Sequence, residues 1–177
     1  MKPILLVIVM LAASTFARAQ VFPAPEGEIV RRYDRFTNKT TISLVNLQVA
    51  ERNDDLNYQR LYLRVGSQFE SERPSHKPGF VIIIFSSWSL WNDRYTQPSR
   101  LDAIVDGQRK SYGDFPPVRR DEVNGKYVVT LLARMDFADF IALVSSKKAE
   151  LRLGDLEFRL NDHAFKMLRD FAKQIQP

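Results

Sequence analysis

Glu150–Leu160, ELRLGDLEFRL, alternates apolar and charged side chains on both sides of a Gly-Asp pair. If Gly154 and Asp155 form a two-residue turn, Leu153 faces Leu156, Arg152 faces Glu157, Leu151 faces Phe158 and Glu150 faces Arg159. Apolar side chains then share one face and opposite charges the other, so register, turn chemistry and charge agree on an antiparallel hairpin. Such a hairpin needs a layer against its apolar face, which sets the expectation for the rest of the chain.

On its C-terminal side, Asn161 or Asp162 can cap a helix with Phe165, Leu168, Phe171, Ala172 and Ile175 on one face and Lys166, Arg169, Asp170 and Lys173 on the other. On its N-terminal side, Asp136 can cap a shorter helix with Phe137, Phe140, Ile141 and Val144 at helical spacing, and Lys147 and Lys148 suit the negative end of its dipole.

Earlier segments read as strands. Tyr33–Val49 is rich in aromatic, Thr and branched residues, and after a polar turn at 51–57 the stretch Tyr58–Val65 sets Leu61, Leu63 and Val65 against a wet face of Arg60, Tyr62 and Arg64. A polar loop over 66–79 leads to Phe80–Phe85, FVIIIF, whose unbroken apolar run fits a strand buried on both sides. Asp106-Gly107 and Asn124-Gly125 are turn dipeptides suited to positive φ, and Phe115-Pro116-Pro117 breaks the chain between them. The expected fold is therefore mainly β (α+β), an antiparallel β-sandwich or roll with two helices near the C-terminus.

Residues 1–19 read as a signal peptide. Lys2 precedes an apolar run from Ile4 to Phe16, and Ala17-Arg18-Ala19 gives the small-x-small cleavage pattern. The run is shorter than the roughly 20 residues of a spanning helix, so no membrane span is expected. Residues 20–29 read as an extended leader with two Pro and a Gly, and 30–177 as a single β-rich domain. The expected location is exported, periplasmic or extracellular.

The 177 residues carry 26 basic and 21 acidic side chains, a net charge of +5 that falls to +3 once Lys2 and Arg18 leave. Acidic residues interrupt the short basic groups, so no nucleic-acid stripe emerges. Cys is absent, which removes thiol nucleophiles, thiolate metal sites and disulfides.

Few catalytic patterns survive inspection. With only His76 and His163, a three-His metal site is excluded, and neither G-x-S-x-G nor H-E-x-x-H occurs. Ser145 and Lys148 match S-x-x-K at the wrong end of a helix. Asn53, Asp55 and Asn57 have calcium-loop spacing, but Tyr58 and Arg64 stand where Gly and Glu are required. Glu70/Glu72 and Asp121/Glu122 are carboxylate pairs of the kind glycoside cleavage uses. The reading assigns no catalytic residues, metal or cofactor.

The candidate binding site is the aromatic segment after FVIIIF: Trp88, Trp91, Arg94, Tyr95 and Arg100, residue types enriched at binding hot spots. The function expected is a non-enzymatic binding or accessory domain of the bacterial cell envelope, its partner a protein or glycan. The alternatives are a small envelope-polymer hydrolase and a carrier of an apolar ligand.

The A-x-A signal, the strand RYDRFTNKTTISL, the VDG turn and the closing helix–hairpin–helix with LRLGDLEFRL together resemble secreted bacterial proteins of unknown function. The resemblance covers most of the chain after the signal and implies an envelope or extracellular setting. It carries no functional residue with it.

Overall fold

The computed structural model describes residues 26–54, 57–90 and 95–177, so the expected signal peptide, residues 20–25 of the leader, and Trp91 and Arg94 lie outside the described residues. The described residues form two antiparallel sheets and two helices, a β-sandwich-like α+β fold. The first sheet contains β1 (Glu28–Asp34), β2 (Lys39–Asp54), β3 (Asn57–Phe69), β4 (Phe80–Ser89), β7 (Pro117–Val123) and β8 (Lys126–Asp136), ordered β1-β2-β3-β4-β8-β7. The second contains β5 (Ser99–Val105), β6 (Gln108–Phe115), β9 (Ala149–Leu153) and β10 (Leu156–Arg159), ordered β10-β9-β5-β6. Helix α1 spans Phe137–Ser145 and α2 spans Asp162–Gln174.

The β9–β10 hairpin has the register that its sequence predicts, from Leu153 opposite Leu156 to Glu150 opposite Arg159. Glu150 and Arg159 form an ion pair at 2.8 Å, whereas Arg152 turns away from Glu157 to Asp102 on β5, at 3.1 Å. Gly154 sits at positive φ, and Asp106-Gly107 and Asn124-Gly125 place both of their residues there, which matches a strand-twist-compatible hairpin turn.

Several elements run longer than the sequence implies. Glu28 and Ile29 already belong to β1, and the polar turn expected at 51–57 contracts because β2 continues to Asp54 and β3 starts at Asn57. Glu51 and Arg60 face each other in that ladder and pair at 2.9 Å, which gives the polar extension cross-strand support. The Gly66–Phe69 part of the expected loop is the end of β3. Likewise β4 runs through Trp88 to Ser89, paired with β8 along its whole length and with β3 from Ile82 onward.

The core lies between the sheets. Leu61, Leu63 and Val65 of β3 and Val81, Ile83 and Phe85 of β4 meet Leu101, Leu151 and Phe158 of the second sheet and Phe140, Phe165 and Phe171 of the helices. In β2, Asn46 takes positive φ at a bulge between Leu44 and Leu47, which keeps both leucines inward. Val81–Phe85 is buried on both faces as its composition implies, with Ile82 and Ile84 joining Leu132 in a small cluster on the outer face of the first sheet, whereas Phe80, at the start of the run, is 38% exposed.

The helix ends differ in detail from expectation. Asn161 caps α2, accepting from the Ala164 N–H at 2.8 Å, while the Asp136 side chain makes no capping bond to α1. Lys147 and Lys148 lie beyond the last turn of α1, and their backbone N–H groups donate to the Asp106 carboxylate at the β5–β6 turn. The cation at the end of α1 is Arg169, which sequence periodicity places outward: its Nε donates to the Val144 carbonyl at 2.7 Å and its Nη2 to the Ser146 carbonyl at 2.8 Å.

Tyr112 on β6 packs against the core, and burial, aided by the Asp139 charge, pushes its phenol from 10.0 up to about 12. A raised folded pKa contributes stability that is fully present below the unfolded value and lost as pH rises through the folded one. One of the six tyrosines is therefore expected to ionise late, near pH 12, in a phenolate absorbance titration. Across pH 10 to 12, Tyr112→Phe should lose less stability to denaturant than the parent chain.

Candidate functional site

Strand alternation decides where the sequence-predicted residues go. On β4, Ser87 and Ser89 face inward, so Trp88 faces outward, opposite Arg60 on β3 and Val128 on β8. Trp88 is half-buried and meets Tyr62 edge-on, ring centroids 6.5 Å apart at 73°. Tyr58, two residues before Arg60 on the same face, has the Arg60 guanidinium 5.4 Å and the Lys126 ammonium 4.3 Å from its ring centroid. Lys126 also donates to the Tyr58 hydroxyl at 3.3 Å.

Charge fixes the geometry of this patch. Glu51 accepts from Arg60 Nε at 2.9 Å and from Gln48 Nε2 at 3.0 Å. Those bonds, Arg60 first, hold the Glu51 carboxyl below its ordinary range, and the same contact raises the Arg60 guanidinium above its own. The result is a platform of three aromatic rings with two cations and one anchored carboxylate, built on rigid strands rather than on a loop. Planar faces and directed donors of this kind stack on sugar rings or aromatic side chains and hydrogen-bond hydroxyls or carboxylates.

Tyr95 and Arg100 lie elsewhere. Tyr95 is 7% exposed, takes φ of 55°, and its carbonyl accepts from Arg120 Nη2 at 2.8 Å. Its hydroxyl accepts from the buried Gln59 Nε2 at 3.2 Å, which also reaches Ser87 Oγ at 3.0 Å, so Tyr95 anchors the polar end of the inter-sheet space. Arg100, 65% exposed, stands on the outer face of the second sheet, held by Asp102 at 3.1 Å and Ser111 at 2.9 Å. Trp88, Tyr95 and Arg100 thus occupy one outer face, the interior and the opposite outer face.

Tyr58, Arg60, Tyr62 and Lys126 were not singled out from sequence as a site. The alternation of Tyr58–Val65 does place Arg60 and Tyr62 on a wet face, but the ladder that sets Trp88 beside them joins segments about 26 residues apart.

The remaining candidates do not converge. Asp121 and Glu122 are adjacent on β7 and point to opposite faces, with Asp121 paired to Arg119. Glu70 pairs with Lys39 at 3.0 Å. His76 lies against Phe69, which pairs with Thr40 near the start of β2, whereas His163, in the first turn of α2, lies beside Gly27 just before β1. The side chains of the Asn53, Asp55 and Asn57 spacing lie outside those described. Among the described residues, no group of three or more His, Asp or Glu side chains is placed to hold a metal ion, and no helix is long and apolar enough to cross a membrane.

Fold and platform together define a β-sandwich-like α+β protein with an aromatic patch on one sheet face. No family model matches the chain, and neither a curated protein nor a solved structure matches it significantly.

Proposed function

We propose that the protein is an exported, non-enzymatic binding or accessory domain of the bacterial cell envelope, and that it engages a protein or glycan through the outer face of the first sheet around Trp88. The observation that carries this reading is the platform itself: Trp88 and Tyr62 in edge contact beside Tyr58, which is flanked by Arg60 and Lys126. Half-buried aromatic rings with fixed cations on a rigid face are the residue types and the preorganisation that binding hot spots use.

The test is a cross-linked pull-down of the tagged protein from the envelope fraction of its own host. It runs beside Trp88→Ala and Arg60→Ala variants whose folding is checked by circular dichroism. The expected outcome is a specific partner whose recovery falls about tenfold or more in both folded variants, the size of effect hot-spot truncation produces. Recovery of the same partner at undiminished yield by both variants would reject the site, and recovery of no partner by the parent chain would reject the reading.

A further inference from the structure

The end of the first sheet remote from Trp88 carries a second feature. The β1–β2 loop raises Phe36 to 85% exposure, and the neighbouring Tyr33 is 43% exposed. The loop is built rather than slack: Asp34 accepts from the Phe36 N–H at 2.9 Å and the Thr37 hydroxyl at 2.8 Å, Asn38 takes positive φ, and Tyr33 donates to Asn38 Oδ1 at 3.1 Å. These bonds hold Asp34 ionised to below the ordinary carboxylate range, so it stays committed to the turn. The Arg35 guanidinium lies 4.9 Å from the Phe36 ring centroid.

Charge collects at the same end. The loop after β3 folds against this hairpin, with Thr40 Oγ1 donating to the Ser71 and Glu72 carbonyls at 2.7 Å and Arg31 donating to the Glu72 carbonyl at 2.5 Å. Segments 31–39 and 70–80 together hold six basic and three acidic residues. Their excess of three equals that of the whole chain from residue 26 onward, where 24 basic residues stand against 21 acidic ones. The rest of the chain from residue 26 onward is electrically balanced.

We propose that this hairpin tip is a peripheral membrane-docking site for anionic lipid, with Phe36 entering the headgroup boundary and Arg32, Arg35 and Lys77 facing lipid phosphates. A convex tip with one protruding ring would bury about 150–250 Å² of aromatic surface against a protein. That falls far short of the roughly 1,200 Å² of a stable interface. A bilayer interface imposes no shape to match and rewards an amphipathic tip with a net positive rim. Asp34, Glu70 and Glu72 keep their charges, Glu70 paired with Lys39, and the six basic residues of the two segments still exceed these three carboxylates by three.

The experiment is vesicle co-sedimentation of the chain recovered from an expressing bacterium, its intact mass recorded. One set of vesicles contains phosphatidylglycerol and phosphatidylethanolamine in equal parts and the other phosphatidylcholine alone. Binding to the anionic vesicles is expected to exceed binding to the neutral ones and to fall steeply with added salt. Phe36→Ala should weaken it about tenfold, and Arg35→Ala about fivefold, the factor that one basic residue near an anionic surface is worth. Arg109→Ala, at an exposed position on β6 of the second sheet, should change it less than twofold. An apolar N-terminal segment retained on the chain would bind both vesicle types alike and be untouched by the tip variants. Equal binding to the two vesicle types, no vesicle binding, or equal losses in Phe36→Ala and Arg109→Ala would each overturn the proposal, whatever acidic protein the tip captured instead. All three substitutions are at exposed side chains, and unchanged thermal midpoints confirm that each variant is folded.

Discussion

Phe85→Ala is expected to cost about 4 kcal/mol of stability. At this chain length that corresponds to a fall of roughly 10 °C in the thermal midpoint. Phe85 is 2% exposed at the middle of β4. Its ring is 5.4 Å from that of Phe115, at the end of β6, and 6.2 Å from that of Phe158 on β10. It therefore joins the first sheet to both edges of the second. Truncation removes the transfer free energy of a buried phenyl ring and leaves a cavity walled by two other rings, each attached to a different strand. Because strands β6 and β10 are fixed by their own ladders, the walls have little freedom to close the gap. Phe85→Leu, which keeps most of the volume, should lose less than half as much. Chemical denaturation of the three chains side by side measures the ratio, and equal losses for Ala and Leu would show that ring contacts rather than filled volume decide the energy.

Arg169→Ala is the next largest expected effect, about 2–3 kcal/mol, the range for hydrogen bonds from a charged donor together with the cost of stranding their acceptors. The carbonyls of Val144 and Ser146 close α1, where backbone acceptors run out of helical partners. The guanidinium satisfies two of them with one planar fork and sets a positive charge at the negative end of the helix. It also lies 5.1 Å from the Phe165 ring centroid, so its position is fixed from its own helix as well. Arg169→Lys preserves the charge but not the fork and should recover less than half of the loss. Full recovery by Lys would reduce the role of Arg169 to a general electrostatic one.

That residue also shows where one-dimensional reading stops. Helical periodicity correctly puts Phe165, Leu168 and Phe171 inward and puts Arg169 on the polar side. Only the packing of α2 beside the end of α1 turns a polar-side arginine into a cap. The β9–β10 hairpin was legible pair by pair because its information is local: turn residues, alternation and opposite charges lie within ten positions. The strand around Trp88 was not, because Ser86-Ser87-Trp88-Ser89 has the composition of a loop. It becomes strand through bonds to β3 and β8, and its inward serines are accommodated by Gln59 and the polar end of the interior rather than by an apolar core. Nearness in sequence links Trp88, Tyr95 and Arg100, while the ladder links Trp88 to Arg60 and Tyr62.

The sheet orders carry a kinetic consequence. The first sheet is completed only when β8 and β7 dock on β4, and the second only when β9 inserts against β5. Each sheet therefore waits for strands made after the chain has already visited the other, and α2 then returns from the last residues to pack near β2. A high proportion of distant contacts slows folding and makes it cooperative. A nascent chain cut short before β9 has β5 paired only with β6, open along its other edge, and an uncovered inner face, so closure of the sandwich waits until β9 and β10 have been made.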